Sequence, residues 1–227
     1  MSGLHPPTLG VVLAGGLARR MGGVDKPLLR IGGRTLLSHA VERLAPQCET
    51  IIISANGDQA RFAELGLPVV PDPLPDHPGP LAGILAALEW AAYWQPSVEW
   101  VVSAPGDTPF LPLDLVARLH EARTASQAPL ACAASGSRLH HAVGLWPVGM
   151  RQDLRQAIVA RGVRSIREWT GVHGVGNASW TTDPFDPFLN INTFEDLGEA
   201  HALAERFSAD PARVSHRSNA VMDRKPS

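Results

Sequence analysis

Apolar positions along the chain fall into two patterns, short unbroken runs and helically spaced sets. Leu9–Leu13 reads LGVVL, Thr50–Ala55 reads TIIISA and Glu99–Ala104 reads EWVVSA. Pro68–Val70, Pro129–Ala133 and Ala142–Trp146 are three further strand candidates. Continuous apolar runs belong to strands covered on both faces, as in a parallel sheet. Between them, Leu36, Leu37, Ala40, Val41 and Leu44 share one helical face behind Thr35 as N-cap. Asp58 to Leu65 predicts a short helix stopped by Gly66. Leu81, Ile84, Leu85 and Leu88 recur at helical spacing after Pro80, a residue suited to a first turn. Leu115, Val116 and Leu119 mark a helix within Pro112–Ala122, and Arg151–Ala160 and Ser165–Trp169 are two more. Thr193 and Asp196 form a capping-box pattern, with Asp in place of Glu or Gln, opening a helix to about Arg206.

Strands alternating with helices predict an α/β fold with a mostly parallel central sheet, helices on both faces and so three layers, Rossmann-like in outline. One domain over residues 1–207 is expected, followed by a polar tail, 208–227, read as disordered. A length of 227 residues suits this, and 44% hydrophobic content supplies a core. That content excludes disorder of the whole chain. A net charge of −2 argues against a nucleic-acid partner, which usually demands a basic surface. Two cysteines, Cys48 and Cys132, make neither a disulfide framework nor a zinc site. No apolar run reaches the roughly 18 residues of a membrane span. The N-terminus lacks the basic segment of a signal peptide, so no membrane partner and a cytoplasmic location are expected. Trp90, Trp94 and Trp100 are expected to pack rather than bind.

The candidate chemistry starts where the first strand ends. Leu13-Ala14-Gly15-Gly16 leads into Arg19, Arg20, Met21, Gly22 and Gly23, then Asp25, Lys26 and Pro27. Small residues let backbone N–H groups approach an anion, and Arg19, Arg20 and Lys26 can neutralise a polyphosphate. Ligands of open α/β sheets bind beyond the carboxyl ends of the strands, which is where this loop falls. A solvated surface turn has the same composition. The spacing is neither a Walker loop nor the dinucleotide Gly-x-Gly-x-x-Gly fingerprint. Asp107, after another strand, suits a hard divalent cation, although Asp-Thr-Pro is also a turn sequence.

The run from Leu13 to Leu29 resembles the signature loop of nucleotidyltransferases that use a nucleoside triphosphate and release pyrophosphate. Within that superfamily the chain resembles the molybdenum cofactor guanylyltransferase family. The likeness continues at Asn56, Val70-Pro-Asp72, His77–Gly83, Pro105–Pro109 and Phe188–Thr193. It covers most of the chain, and the segments occurring together in this order are more specific than any one alone. The resemblance implies the nucleotidyltransferase version of the fold and GTP and molybdenum-molybdopterin as substrates, with molybdoenzyme-maturation proteins as further partners. It implies that GMP passes to the terminal phosphate of the pterin.

The same resemblance implies roles for residues. Arg20, Lys26 and Asp107 would be catalytic, and Asp107 would hold Mg²⁺. Leu13, Ala14, Gly15, Gly16, Lys26, Asn56, Asp72, Pro80, Leu81, Gly83 and Asp107 would line the nucleotide site. Asn190 and Asn192, alternating with Leu189 and Ile191 as on a strand, would face the acceptor. The pair His140-His141 departs from the His-Pro expected there. It suits the acceptor or a solvated loop equally. Arg161, Arg164 and Arg167 suit either a pterin phosphate or a solvated face. Three other readings stay open at this stage. They are a molybdopterin cytidylyltransferase, a sugar-phosphate nucleotidyltransferase, and a nucleotide or cofactor carrier without turnover.

Overall fold

The computed structural model describes residues 5–15, 17–18, 24–74 and 79–209. A seven-stranded sheet forms its centre. In chain order the strands are β1 (Thr8–Leu13), β6 (Thr50–Ser54), β7 (Val69–Val70), β8 (Trp100–Pro105), β9 (Leu130–Ser135), β10 (Arg138–Pro147) and β11 (Val175–Trp180). Two short hairpins, β2–β3 (Leu17–Ala18, Val24–Asp25) and β4–β5 (Arg30–Ile31, Arg34–Thr35), lie outside it. The spatial order is β11-β9-β10-β8-β1-β6-β7. All neighbours pair in parallel except β10, which runs antiparallel to both β8 and β9.

Alternating side chains of each run feed two cores. Leu9, Val11, Ile52, Val101 and Leu130 meet α2 (Pro80–Trp94), α4 (Arg151–Val159) and α5 (Ile166–His173) on one face. Val12, Ile51, Ile53, Val102 and Ala131 meet α1 (Leu36–Leu44) and α3 (Leu115–Ser126) on the other. The three expected layers are therefore present. A smaller third core packs α6 (Phe194–Ala209) against Ile31, Leu36, Phe110 and Phe185.

Local chemistry accounts for the boundaries. Thr35 Oγ1 accepts from Ser38 N at 3.0 Å and caps α1. Asp58 caps a 3₁₀ turn, Gln59–Leu65, which Gly66 ends at φ +61°. The Gly32-Gly33 pair, at φ +55° and +81°, closes the β4–β5 hairpin. Thr193 and Asp196 exchange side-chain bonds to each other's N–H groups and open α6. That helix reaches Ala209, so Ser208 and Ala209 are helical rather than tail, and the rest of the expected tail lies outside the described residues. Burial pushes the Cys132 thiol up to about 12 and raises that of Cys48, so both pack as neutral groups.

Two expectations change, and one strand was not foreseen. β11 has no apolar run: Gly176, Ala178 and Trp180 face inward while Asn177 and Ser179 face solvent, the alternation of an edge strand. Trp94 does not pack inside. It is 64% exposed and meets Tyr93 edge-on at 4.7 Å. Asn190 and Asn192 lie in an irregular segment before α6, not on a strand.

Candidate functional site

The carboxyl ends of β1, β6 and β8 form a single rim, joined by backbone bonds. Ala14 N donates to Ser54 O at 2.9 Å, and Gly106 N donates to Leu13 O at 2.9 Å. Buried parallel strands force their loops out together at this edge. Two clusters occupy it.

The first cluster is charged. Lys26, in a 3₁₀ turn just after β3, donates from Nζ to Asn192 Oδ1 at 2.5 Å. Its Nζ lies 3.4 Å from Asp107 Oδ2. Asn190 Nδ2 donates to Asp107 Oδ1 at 2.8 Å, and Ile191 N donates to Asp107 O at 3.0 Å. Asn190 and Asn192 therefore converge on the lysine–aspartate pair through an irregular segment pinned by Asp107 itself. Lys26 and Asp107 are only 18% and 17% exposed. Burial raises the Asp107 carboxyl above its usual range, with the Lys26 ammonium and the Asn190 amide pulling the other way. Burial also opposes ionisation of Asp196, but the N–H groups of Asn192 and Thr193 outweigh it and hold that carboxyl low.

The second cluster is a cavity of about 400 Å³ behind Leu13 and Gly15. Ser54, Ala55, Asn56 and Asp72 form one wall, and Gly79, Pro80 and Gly83 at the start of α2 form another. Asn56 and Asp72 hold each other by two bonds. Asn56 Nδ2 donates to Asp72 Oδ2 at 2.7 Å, and Asp72 N donates to Asn56 Oδ1 at 2.9 Å. Gly83 lets α2 press against the strand ends. A Cβ there would sit 2.7 Å from Ser54 Oγ and 2.8 Å from a Leu13 methyl. Gly79 takes φ +84° just before Pro80, so the first turn of α2 begins beside the cavity, with Ala82 N donating to Gly79 O at 3.1 Å.

Most of the expected nucleotide residues thus gather at one rim. Gly16 and Arg20 lie outside the described residues, as do Arg19 and the 75–78 segment. Leu81 does not line the cavity with its side chain. Its side chain is fully buried in the core beneath α2 rather than on the cavity wall, because its helical position faces the sheet. Ala14 is likewise buried and takes part through its backbone bond to Ser54.

The neighbouring residues are less uniform. His140 Nε2 lies 2.7 Å from Ser135 Oγ, and its ring lies 4.7 Å from that of Phe188. His141 carries a buried Nδ1 with no hydrogen-bond partner. Burial lowers the pKa of both imidazoles, so the neutral form is favoured. Arg161 pairs with Asp153 at 3.2 Å, which takes it out of the expected basic cluster, while Arg164 and Arg167 stay exposed.

Sequence reasoning missed two residues. Asp25 and Arg61 form an ion pair beside the rim, and Arg61 Nη2 also donates to Asn56 O at 3.0 Å. Adjacency of Asp25 to Lys26 was the available signal. Arg61 had none, because its ion-pair partner Asp25 lies far off in the chain.

Among the described residues no group of three His, Cys, Asp or Glu side chains gathers that could enclose a metal. Asp107 offers one carboxylate at the open rim, and Asn190 Oδ1 is buried there without a partner. One carboxylate fits Mg²⁺, which keeps water and takes phosphate oxygens, and does not fit an all-protein cage.

A mostly parallel three-layer sheet, a glycine-rich loop after β1, and a lysine–aspartate pair beside a polar cavity define a nucleotidyltransferase. Residues 10–175 match the MobA-like NTP transferase domain, and the chain belongs to that family. It is 57% identical over 199 residues to a molybdenum cofactor guanylyltransferase of Nitrobacter hamburgensis, covering 88% of this chain and 95% of the relative. A protein of the same name from Rhodopseudomonas palustris (strain BisB5) is 53% identical over 204 residues, covering 90% and 97%. The fold is shared with the crystal structure of molybdopterin-guanine dinucleotide biosynthesis protein A from Archaeoglobus fulgidus. That match has a TM-score of 0.65 at 21% identity and covers 88% of this chain and 99% of the other.

Proposed function

We propose that the chain transfers GMP from GTP to the terminal phosphate of molybdenum-bearing molybdopterin. An acceptor phosphate oxygen bonds to the α-phosphorus, the bond from that phosphorus to the β-phosphate oxygen breaks, and pyrophosphate leaves. The products are pyrophosphate and the guanine dinucleotide form of the cofactor. The observation that carries this reading is the Lys26–Asp107–Asn190–Asn192 cluster standing beside the Asn56–Asp72 cavity on one rim. A nucleotide laid across the rim places its base in the cavity and its phosphates at the cluster.

The acceptor phosphate is already an anion, so no strong general base is required. Catalysis then consists of positioning and charge neutralisation. Lys26 offsets charge on the α-phosphate and on departing pyrophosphate. Gly15 and Gly16 present backbone N–H groups to phosphate oxygens, and Arg20 adds a second cation, both on the strength of the family pattern. Asp107 would hold Mg²⁺, which neutralises phosphate charge when bound. Asn190 and Asn192 stand between this pair and the acceptor side. Asp72, oriented by Asn56, presents a carboxylate to the cavity. Guanine has the N1–H and amino donors that a carboxylate accepts, and cytosine has no equivalent edge.

Pyrophosphate release from each of the four ribonucleoside triphosphates, with Mg²⁺ and molybdopterin-loaded acceptor, tests the reading. Release is expected with GTP and acceptor together. Release with CTP instead would overturn the base assignment and leave the phosphate site standing. GTP binding without release from any nucleotide would make the chain a carrier.

A further inference from the structure

Arg61 lies in the 3₁₀ turn Gln59–Leu65 and reaches back between the two clusters. Nη1 donates to Asp25 Oδ2, and Nη2 donates to the Asn56 carbonyl at 3.0 Å. The guanidinium carbon sits 4.6 Å from the centre of the Phe62 ring, which is itself 2% exposed and anchored in the core. Nε is buried and has no partner. The side chain is only 26% exposed. It is therefore held by a ring and two terminal bonds, with one donor left unsatisfied. A surface arginine free to turn would place that donor in water.

The two acceptors explain the arrangement. Asp25 ends β3 and directly precedes Lys26, the cation of the charged cluster. Asn56 is the residue that orients Asp72 in the cavity. One rigid fork thus touches the neighbour of the phosphate-side lysine and the holder of the base-side carboxylate. Arg is suited to this because its planar fork presents fixed, separated donors, whereas lysine offers one point.

We propose that Arg61 is a positioning residue that sets the distance between the base half-site and the phosphate half-site, so that one nucleotide spans both. The proposal rests on the guanylyl-transfer reading of the rim. Two half-sites at the right spacing bind a linked ligand far more tightly than its parts, and that advantage falls when the spacing drifts.

The test compares three probes on the full chain with Mg²⁺: GTP, guanosine and inorganic tripolyphosphate. Arg61→Gln is expected to leave guanosine and tripolyphosphate affinities within about twofold of wild type while GTP affinity drops about tenfold or more. Arg61→Lys, which keeps the charge and the stem over Phe62, is expected to fall between the two. It also carries the test if Arg61→Gln does not fold. Asp25→Asn should reproduce the pattern. Unchanged GTP affinity in both Arg61 variants would overturn the proposal. So would a loss borne entirely by one fragment, because that is local damage rather than lost spacing. Wild-type protein that binds neither fragment would overturn the reading of the rim, and the proposal with it.

Discussion

The two halves of the rim are built in different ways. The Asn56–Asp72 cavity draws on β6, β7 and the start of α2, elements that are close in sequence and adjacent in the fold. Its polar wall is a neutral amide bonded once to the Asp72 carboxylate and once to the Asp72 backbone N–H, so it is ordered before any ligand arrives. The charged cluster draws on residues 26, 107, 190 and 192, three segments brought together only by the finished fold. Its cation is already satisfied by Asp107 and Asn192. A phosphate bound there would displace or share those contacts. The cavity offers shape and hydrogen bonds, and the cluster offers charge.

Substitutions test that division. The largest expected effect is at Asp107. Asp107→Ala should lower metal-dependent pyrophosphate release on the order of a thousandfold, with an unchanged circular dichroism spectrum, if it supplies the cation's protein ligand. Next is Lys26→Ala. Removing a desolvated phosphate contact should cost about 2–4 kcal/mol in kcat/KM for GTP, read by steady-state kinetics. Both changes should leave guanosine binding unaltered, and a parallel loss of guanosine affinity would break the division of labour.

A pH effect belongs to neither half. His120 is buried at the opposite end of the sheet, with Nε2 2.9 Å from Thr8 Oγ1. Burial first, then His5 and Arg123, lower its pKa from 6.5 to about 4. The unfolded chain therefore binds this proton more readily than the folded one. Stability present above about pH 6.5 should be lost as pH falls toward 4, to a total of about 3 kcal/mol. Chemical denaturation of wild type and His120→Gln across that range checks it, and the variant should show a flatter acid limb. The smallest effect is expected from Asn56→Ala. Losing its bonds to Asp72 should cost about 1–2 kcal/mol in discrimination of GTP from CTP, measured by competition. Lys26→Ala should leave that discrimination intact.

The contrast also explains what was legible in the sequence. Local signals announced their elements. The Thr35 cap, the Asp58–Gly66 turn and Pro80 at the head of α2 each act over a few residues, and each appears where its chemistry puts it. The cavity residues Asn56 and Asp72 sit at strand ends, and their role was reached through family resemblance. In the charged cluster, Lys26 in a glycine-rich basic loop and Asp107 after a strand were legible from the residues themselves, whereas Asn190 and Asn192 were reached through family resemblance, since no periodicity links residue 26 to residue 192. Asn190 and Asn192 do converge, but their backbone is held by Ile191 N on Asp107 O rather than by a strand ladder. Arg61 escaped notice because an ion pair to Asp25 leaves no local trace. β11 escaped because an edge strand covered on one face needs only Gly176, Ala178 and Trp180 to be apolar or small.

One strand runs against the rest. β10 enters the rim where its neighbours leave it, and a tight turn at Gly136, φ +54°, delivers it there from β9. The donor half of the rim is made from strand exits and the His140–His141 side from a strand entrance. The two halves are thus separable modules for natural variation. Residues added or removed at the 136–137 turn alter what lies beside Phe188 without passing through the loops that follow β1, β6 and β8. A lineage would thereby reshape one side of the rim while inheriting the strand exits of the other unchanged.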